Sequence, residues 1–129
     1  ELMEDNAERA IAAACAATGA TIRNYTAAPM YAAGERRGRH QWLVEWETAP
    51  RSTDGFAECL DRELRKLNSD YDAKRMHTIF LDPPEIVTVP SGLFERWLSQ
   101  AGTHKLGGQR KVPRLSNDRR IIEQMLALF

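Results

Sequence analysis

The residues best suited to chemistry lie in one segment near the C-terminus, residues 105–114, which reads Lys-Leu-Gly-Gly-Gln-Arg-Lys-Val-Pro-Arg. Gly107 and Gly108 allow the backbone to bend and to approach a ligand closely, and Pro113 favours an extended backbone at Val112. A lysine between a glycine hinge and a proline-restricted exit is typical of a mobile loop that delivers an ammonium to an anion such as a phosphate. The same spacing also fits a solvated basic linker to the last helix, and the spacing alone slightly favours that linker.

Charge is distributed unevenly along the chain. The 129 residues contain 18 basic and 18 acidic side chains, so the formal net charge is zero. Residues 101–129, by contrast, contain six basic side chains and two acidic ones. We therefore expect any anionic ligand to be met near the C-terminus. The balanced total argues against a histone-like protein or a general polyanion binder, and we expect no nucleic-acid partner.

The sequence offers no pattern typical of a metal, redox or membrane site. Cys15 and Cys59 have neither zinc nor redox spacing, and two small buried side chains in a reducing compartment explain them. The histidines are too widely separated to predict a metal site: His40, His77 and His104. The longest strictly apolar run covers residues 10–17, far short of the roughly 20 residues of a membrane span, and the acidic start does not resemble a signal peptide. We expect a cytoplasmic protein with no membrane partner.

Hydrophobic periodicity predicts the elements that must position the basic segment. The first half reads as a helix over residues 5–18, strands over 20–31 and 39–47 joined by a charged turn at 34–38, a helix that Ser52 or Thr53 caps, and a short helix over 69–75. The second half reads as a weak strand pattern over 79–81, a β-branched strand over 85–89, a helix from Ser91, and a last helix that Ser116 or Asn117 caps and that runs to Phe129. Residues 100–115 show no periodicity.

This order of elements predicts an α+β fold in a single domain over residues 1–129. We expect a small mixed β-sheet, formed by an antiparallel hairpin plus one or two further strands and covered by helices. A chain of this length can bury a core without a disulfide or a metal. The expected core contains large apolar side chains from several elements: Trp42, Phe56, Leu60, Leu64, Trp97 and Ile121.

Two smaller features each have two interpretations. Trp42 and Trp46 share one strand face, which suits a stacking platform for bases or, more often, core packing. The polar residues at 68–72 suit a polar site or a capped turn between two helices, and we favour the turn.

Three collinear segments resemble one protein family. They are residues 67–75 (Leu-Asn-Ser-Asp-Tyr-Asp-Ala-Lys-Arg), 94–98 (Phe-Glu-Arg-Trp-Leu) and 105–119 (Lys-Leu-Gly-Gly-Gln-Arg-Lys-Val-Pro-Arg-Leu-Ser-Asn-Asp-Arg). They resemble the auxin-responsive-promoter (Gretchen Hagen three) family of acyl-acid amido synthetases, in its bacterial form. The likeness covers nearly the whole chain and places it in the adenylate-forming superfamily.

The resemblance implies the small C-terminal domain of a longer ATP-dependent enzyme. A large N-terminal adenylation domain would bind ATP, Mg²⁺, the acyl acid and the amino acid, and its ATP motifs are absent from this sequence. We therefore expect an excised or proteolysed domain that is inactive alone.

The resemblance also implies roles for individual residues of the basic segment. The lysine of the family's Gln-x-Lys-x-Pro-Arg motif falls on Lys111, which would act in carboxylate adenylation. The residues expected to contact the cofactor are its neighbours in the same segment: Gly107, Gly108, Gln109 and Arg114.

A second interpretation belongs to a different class of protein. The chain would then be a free-standing binding module whose basic C-terminal segment docks on an acidic protein or a nucleic acid.

Overall fold

A hairpin of two long strands forms the centre of the fold. The computed structural model describes residues 1–76, 80–100 and 112–129. Strand β1 (Thr21–Met30) pairs antiparallel with β2 (Arg39–Thr48), with Ala27 opposite Trp42. Strand β3 (Glu85–Thr88) joins the other edge of β2 in the parallel direction, which gives a three-stranded mixed sheet in the order β1-β2-β3. The α+β fold and the antiparallel hairpin predicted from the sequence are both confirmed.

Helices before, between and after the strands cover the sheet. Within the described ranges they are α1 (Glu4–Thr18), α2 (Thr53–Leu67), α3 (Ser69–Met76), α4 (Leu93–Gln100) and α5 (Arg120–Ala127). Helix α1 ends at Gly19, whose φ of 75° favours glycine. Helix α2 begins after Ser52, whose hydroxyl oxygen accepts a hydrogen bond of 3.0 Å from the backbone N–H of Gly55.

Both faces of β2 are buried, which makes it the central layer of the domain. Trp42 and Val44 pack with α1 and α2 on one face. Leu43 points to the opposite face and packs with α4 and α5. Alanines on α1 that are fully buried allow a close approach to its neighbours: Ala7, Ala10 and Ala14. The expected core is confirmed, except that Ile121 is only half-buried and packs against the core, while the next residue, Ile122, occupies the buried position.

The start of α5 differs from the prediction. The helix begins at Arg120, and the Asp118 carboxylate accepts the backbone N–H of Arg120 at 2.9 Å. Ser116 and Asn117 do not cap the helix and are tied to the hairpin instead: the Ser116 N–H donates to the Ala27 carbonyl of β1, and the Asn117 carbonyl accepts from the hydroxyl of Tyr31, which directly follows β1.

The weak strand pattern at residues 79–81 yields no strand among the described residues. Leu81 forms a single parallel bridge with Gly38, and residue 79 lies outside the described part of the chain.

Candidate functional site

The predicted catalytic residue and most of its predicted neighbours lie outside the described residues. These are Lys111, Gly107, Gly108 and Gln109. The structure does describe the residues that follow Lys111 directly, and we call residues 112–117 the anchor segment. Its contacts determine where the chain goes after Lys111.

The anchor segment lies along the outer edge of β1. The backbone N–H of Ala27 donates to the Arg114 carbonyl at 3.0 Å, and Ser116 returns a bond of 2.9 Å to the Ala27 carbonyl. Leu115 thereby forms a parallel bridge with Ala27. The edge strand of the sheet therefore finds backbone partners at this position, and the anchor segment is held by the sheet itself.

Side chains strengthen this attachment close to Lys111. Val112 is buried in the core beside the sheet, with 7% of its surface exposed. The hydroxyl of Thr26, which is 1% exposed, donates to the Pro113 carbonyl at 2.6 Å. The residue directly after Lys111 is therefore fixed by apolar burial, and the next one by a buried hydrogen bond.

Arg114 holds the anchor segment through a second set of contacts. Its guanidinium donates to the Tyr25 carbonyl at 2.9 Å and lies 4.7 Å from the centre of the Tyr25 ring. The Tyr25 hydroxyl donates to Glu8 on α1 at 2.6 Å, and the Arg114 Nε lies 3.9 Å from the same carboxylate oxygen. Burial, and then the hydrogen bond to Glu8, raise the pKa of Tyr25. Arg114 thus links α1, β1 and the anchor segment, and its expected contact with a phosphate stays a prediction.

The chain before residue 101 is also tied to the hairpin. Helix α4 follows Gly92, whose φ of 89° marks a tight turn. The backbone N–H of Gly92 donates at 2.8 Å to the carboxylate of Glu45 on β2, and Asn24 on β1 donates to the other oxygen of that carboxylate at 3.3 Å. Glu45 is 2% exposed. Both elements that flank residues 101–111 are therefore connected to the same hairpin.

The polar residues that follow α2 form a capped turn, as we favoured. The Asn68 side-chain oxygen accepts the backbone N–H of Tyr71 at 2.8 Å at the start of α3. The Tyr71 hydroxyl donates to Asp61 at 2.6 Å, and Arg75 contacts both oxygens of the same carboxylate at 2.8 Å. Burial opposes the charge on Asp61, but the hydrogen bonds from Arg75 and Tyr71 outweigh it and lower the pKa of that carboxyl. This network joins α2 to α3 and has a structural role.

The tryptophans of β2 belong to the core rather than to a stacking surface. Trp42 is fully buried. Trp46 packs edge-on against Phe56, with ring centres 4.9 Å apart, and its indole N–H donates to Thr88 at 2.9 Å.

Sequence reasoning missed the residues that hold the flanks of the candidate loop. Thr26, Tyr25 and Glu8 carry no local motif, because their contacts join residues far apart in the chain. Glu45 carries a partial signal, since its carboxylate shares a strand face with the apolar Leu43. The sequence does not reveal that the Glu45 carboxylate accepts a hydrogen bond from the backbone N–H of Gly92.

Two kinds of site are absent from the part of the chain that the structure describes. Within 1–76, 80–100 and 112–129, no three His, Cys, Asp or Glu side chains are grouped so that they could hold a metal ion. In the same ranges, no helix has the length and apolar character needed to cross a membrane.

The same fold occurs in two solved structures of acyl acid amido synthetases. One is the AtGH3.15 acyl acid amido synthetase in complex with 2,4-DB, with a TM-score of 0.75 and 18% identity. The other is the GH3.15 acyl acid amido synthetase, with a TM-score of 0.72 and 17% identity. Each match covers 98% of this chain but only 24% of the other chain. At this level of sequence identity, the likeness to these two structures shows the fold alone. Among curated proteins, no sequence matches the chain.

The family is given by the sequence. Residues 5–120 match the profile of the GH3 family C-terminal domain. The chain therefore belongs to this family, as the three segments at residues 67–75, 94–98 and 105–119 indicated.

Proposed function

We propose that this chain is the C-terminal domain of an ATP-dependent acyl acid amido synthetase and that it brings Lys111 to the reacting groups. The family match over residues 5–120 carries the first part of the proposal. The small share of the structural relatives that the chain spans, 24%, agrees with a domain of a longer enzyme. The anchor segment supports the second part, because it fixes the chain directly after Lys111 on the edge of β1.

The proposed reaction has two steps. In the first, a carboxylate oxygen of the acyl acid attacks the α-phosphorus of ATP, the bond from that phosphorus to the bridging oxygen breaks, and pyrophosphate leaves. In the second, the amine nitrogen of an amino acid attacks the acyl carbon, AMP leaves, and the nitrogen loses a proton as the amide forms.

Lys111 would act in the first step, in which two anions must approach each other. An ammonium about 4 Å from the developing charge is worth about 4 kcal/mol at an effective dielectric of about 20, before desolvation. A rotation of the domain would then withdraw the lysine and present another face for amide formation.

The other groups of the reaction are assigned to the large domain. Mg²⁺ is bound together with ATP, mainly by the large domain. In this proposal the adenine, the acyl acid and the amino acid bind mainly outside this chain, and the enzyme works in the cytoplasm.

The test compares ATP–pyrophosphate exchange by three proteins: the full-length enzyme, the enzyme that lacks residues 1–129, and the 129-residue chain alone. We expect acyl-acid-dependent exchange from the full-length enzyme, a large loss on truncation, and none from the chain alone. Exchange by the chain alone, or micromolar ATP affinity of that chain in calorimetry, would contradict the proposal. Tight binding of the chain to an acidic protein or to RNA would favour the free-standing binding module instead.

A further inference from the structure

The side chain of Arg114 contacts the same strand edge as its own backbone. The Arg114 carbonyl accepts the backbone N–H of Ala27 at 3.0 Å, and the Arg114 guanidinium donates to the Tyr25 carbonyl at 2.9 Å. Tyr25 and Ala27 are two residues apart on β1, so their backbone groups point out of the same edge of the sheet. Arg114 is therefore attached to β1 at two successive outward-facing positions.

The guanidinium lies where a longer backbone ladder would continue. Leu115 forms an isolated parallel bridge with Ala27. In a regular parallel ladder, the next bond towards the start of β1 would join a backbone N–H of the anchor segment to the Tyr25 carbonyl. The Arg114 side chain donates to that carbonyl. A side-chain donor at this acceptor accounts for a ladder that consists of one bridge in the part of the anchor segment that the structure describes.

Contacts on both faces of β1 define the path of the chain at this point. Thr26, which is 1% exposed, donates its hydroxyl to the Pro113 carbonyl at 2.6 Å. Val112 packs on the same side of the sheet, with helices α4 and α5. The Arg114 guanidinium lies over the Tyr25 ring, on the opposite face. The chain thus crosses the edge of the sheet between Val112 and Arg114, and it is held on both sides of that edge.

A carboxylate on α1 completes the contacts of Arg114. The Tyr25 hydroxyl donates to Glu8 at 2.6 Å, and the Arg114 Nε lies 3.9 Å from the same Glu8 oxygen. The positive charge of Arg114 therefore faces a negative charge of the protein itself. Together with the bond to the Tyr25 carbonyl, this carboxylate directs the guanidinium towards α1 and β1, and it supplies the charge that a phosphate would otherwise bring.

We propose that Arg114 is a positioning residue for the adenylation step, in place of the phosphate contact that the resemblance implies: with Tyr25 and Glu8 it fixes the chain three residues after Lys111. The inference rests on the proposed function, because Arg114 acts through Lys111. Successive Cα atoms are about 3.8 Å apart, so a fixed Arg114 limits the positions that the Lys111 ammonium can reach. A misplacement of about 1 Å by a change away from the reacting atoms can cost about 100-fold in rate.

The test measures kcat and the KM for ATP in acyl-adenylate formation by four full-length proteins: the unaltered enzyme, Arg114→Met, Lys111→Ala, and the enzyme with both substitutions. We expect Arg114→Met to lower kcat by about 10- to 100-fold, with less than about a threefold change in the KM for ATP. In the Lys111→Ala enzyme the same substitution should lower kcat by less than about twofold, because a residue that acts through the lysine then has nothing to position.

Two further variants accompany this cycle. Arg120→Met is the matched control, because it removes the same charge six residues further along, from an exposed position whose backbone N–H donates to Asp118. It should change kcat by less than about twofold. Glu8→Lys provides a second reading should Arg114→Met impair folding, since the Glu8 side chain is 54% exposed. It places a like charge against Arg114 and should lower kcat by at least about threefold.

A KM for ATP raised about tenfold by Arg114→Met with an unchanged kcat would overturn the inference, because Arg114 would then bind a phosphate. Equal-fold losses from Arg114→Met with and without Lys111 would also overturn it, because a purely structural role is independent of the lysine. Amide formation from supplied acyl-adenylate is measured on the same samples, and a loss there as large as in adenylation would likewise mean a general structural role.

The Lys111→Ala enzyme separates this inference from the proposed function. Full adenylation by that enzyme would contradict the proposed function, and the inference with it. A damaged Lys111→Ala enzyme in which Arg114→Met still causes its full loss would contradict only the inference.

Discussion

Replacing Arg75 with methionine should destabilise the domain strongly. The Arg75 side chain is 10% exposed, and its partner Asp61 is 13% exposed. The substitution removes two hydrogen bonds of 2.8 Å to Asp61 and one of 3.2 Å to the Leu81 carbonyl. A buried carboxylate then keeps only the Tyr71 hydroxyl, and breaking such a buried pair typically costs about 3–5 kcal/mol. We expect a loss of about 3 kcal/mol in the free energy of unfolding, measured by urea titration of the 129-residue chain at pH 7.

The control for this prediction is Arg65→Met. Arg65 forms an ion pair of 2.6 Å with Asp72, but these side chains are 36% and 33% exposed, so the expected loss is below about 1 kcal/mol. Adding Asp61→Asn to Arg75→Met should recover at least about 1 kcal/mol, because the buried group loses its charge but keeps an oxygen for Tyr71. The reasoning is refuted if Arg75→Met and Arg65→Met cost the same, or if Asp61→Asn further destabilises the Arg75→Met protein.

Three further predictions concern the isolated chain. Burial and the nearby Lys74 ammonium lower the pKa of His40 to about 4, below the unfolded value of about 6.5. Between these two pH values the unfolded state binds more protons than the folded state. The free energy of unfolding should therefore fall with decreasing pH in that window, by up to about 1.4 kcal/mol per pH unit. His40→Gln should flatten this slope in urea titrations between pH 6.5 and 5, and an unchanged slope would contradict the assignment. Thr26→Val should cost about 1–2 kcal/mol by thermal unfolding because it leaves the Pro113 carbonyl without its buried donor, whereas a cost near zero would show that the hydroxyl does not hold the anchor segment. Cooperative melting should be insensitive to chelator and to reductant, and a lower melting temperature with either reagent would reveal a metal or a disulfide that the core requires.

Local patterns were sufficient to predict most of the fold. In β2, apolar residues alternate between the two faces, with Trp42 and Val44 opposite Leu43, and this alternation predicted a strand. The short glycine-containing turn before it predicted the hairpin. A capping serine predicted the start of α2, which begins directly after Ser52. These features act over a few residues, so that the sequence alone contains the required information.

The errors arose where distant backbone decided the outcome. Ser116 has the side chain of a helix cap, but its N–H is used by the Ala27 carbonyl, and α5 begins four residues later. Leu81 has strand character, yet its only ladder contact among the described residues is a single bridge to Gly38. At Ser116 an available partner on the hairpin outweighed the local preference of the sequence, whereas at Leu81 the pairing does not extend beyond one bridge.

The candidate site was predictable only in part. Glycine, lysine and proline spacing drew attention to the segment around Lys111, and the resemblance gave that lysine a role. The attachment of Arg114 to Tyr25 and of Pro113 to Thr26 depends on pairs separated by nearly 90 residues, with separations of 89 and 87. No local pattern specifies such pairs, so the anchor segment emerged only from the fold.

The measurement that tests the central proposal most directly is acyl-adenylate formation by the full-length enzyme carrying Lys111→Ala. Removing one preorganised donor from a transition state typically costs about 100-fold or more in rate, and we expect a loss of that size with little change in stability. Lys111→Arg should also be impaired, because a planar guanidinium does not replace a compact ammonium. Lys105→Ala removes the same charge from the same segment outside the motif and should retain adenylation. Equal losses from both alanine variants would mean that general basicity is what matters, and full adenylation by Lys111→Ala with reduced amide transfer would place the lysine in the second step instead.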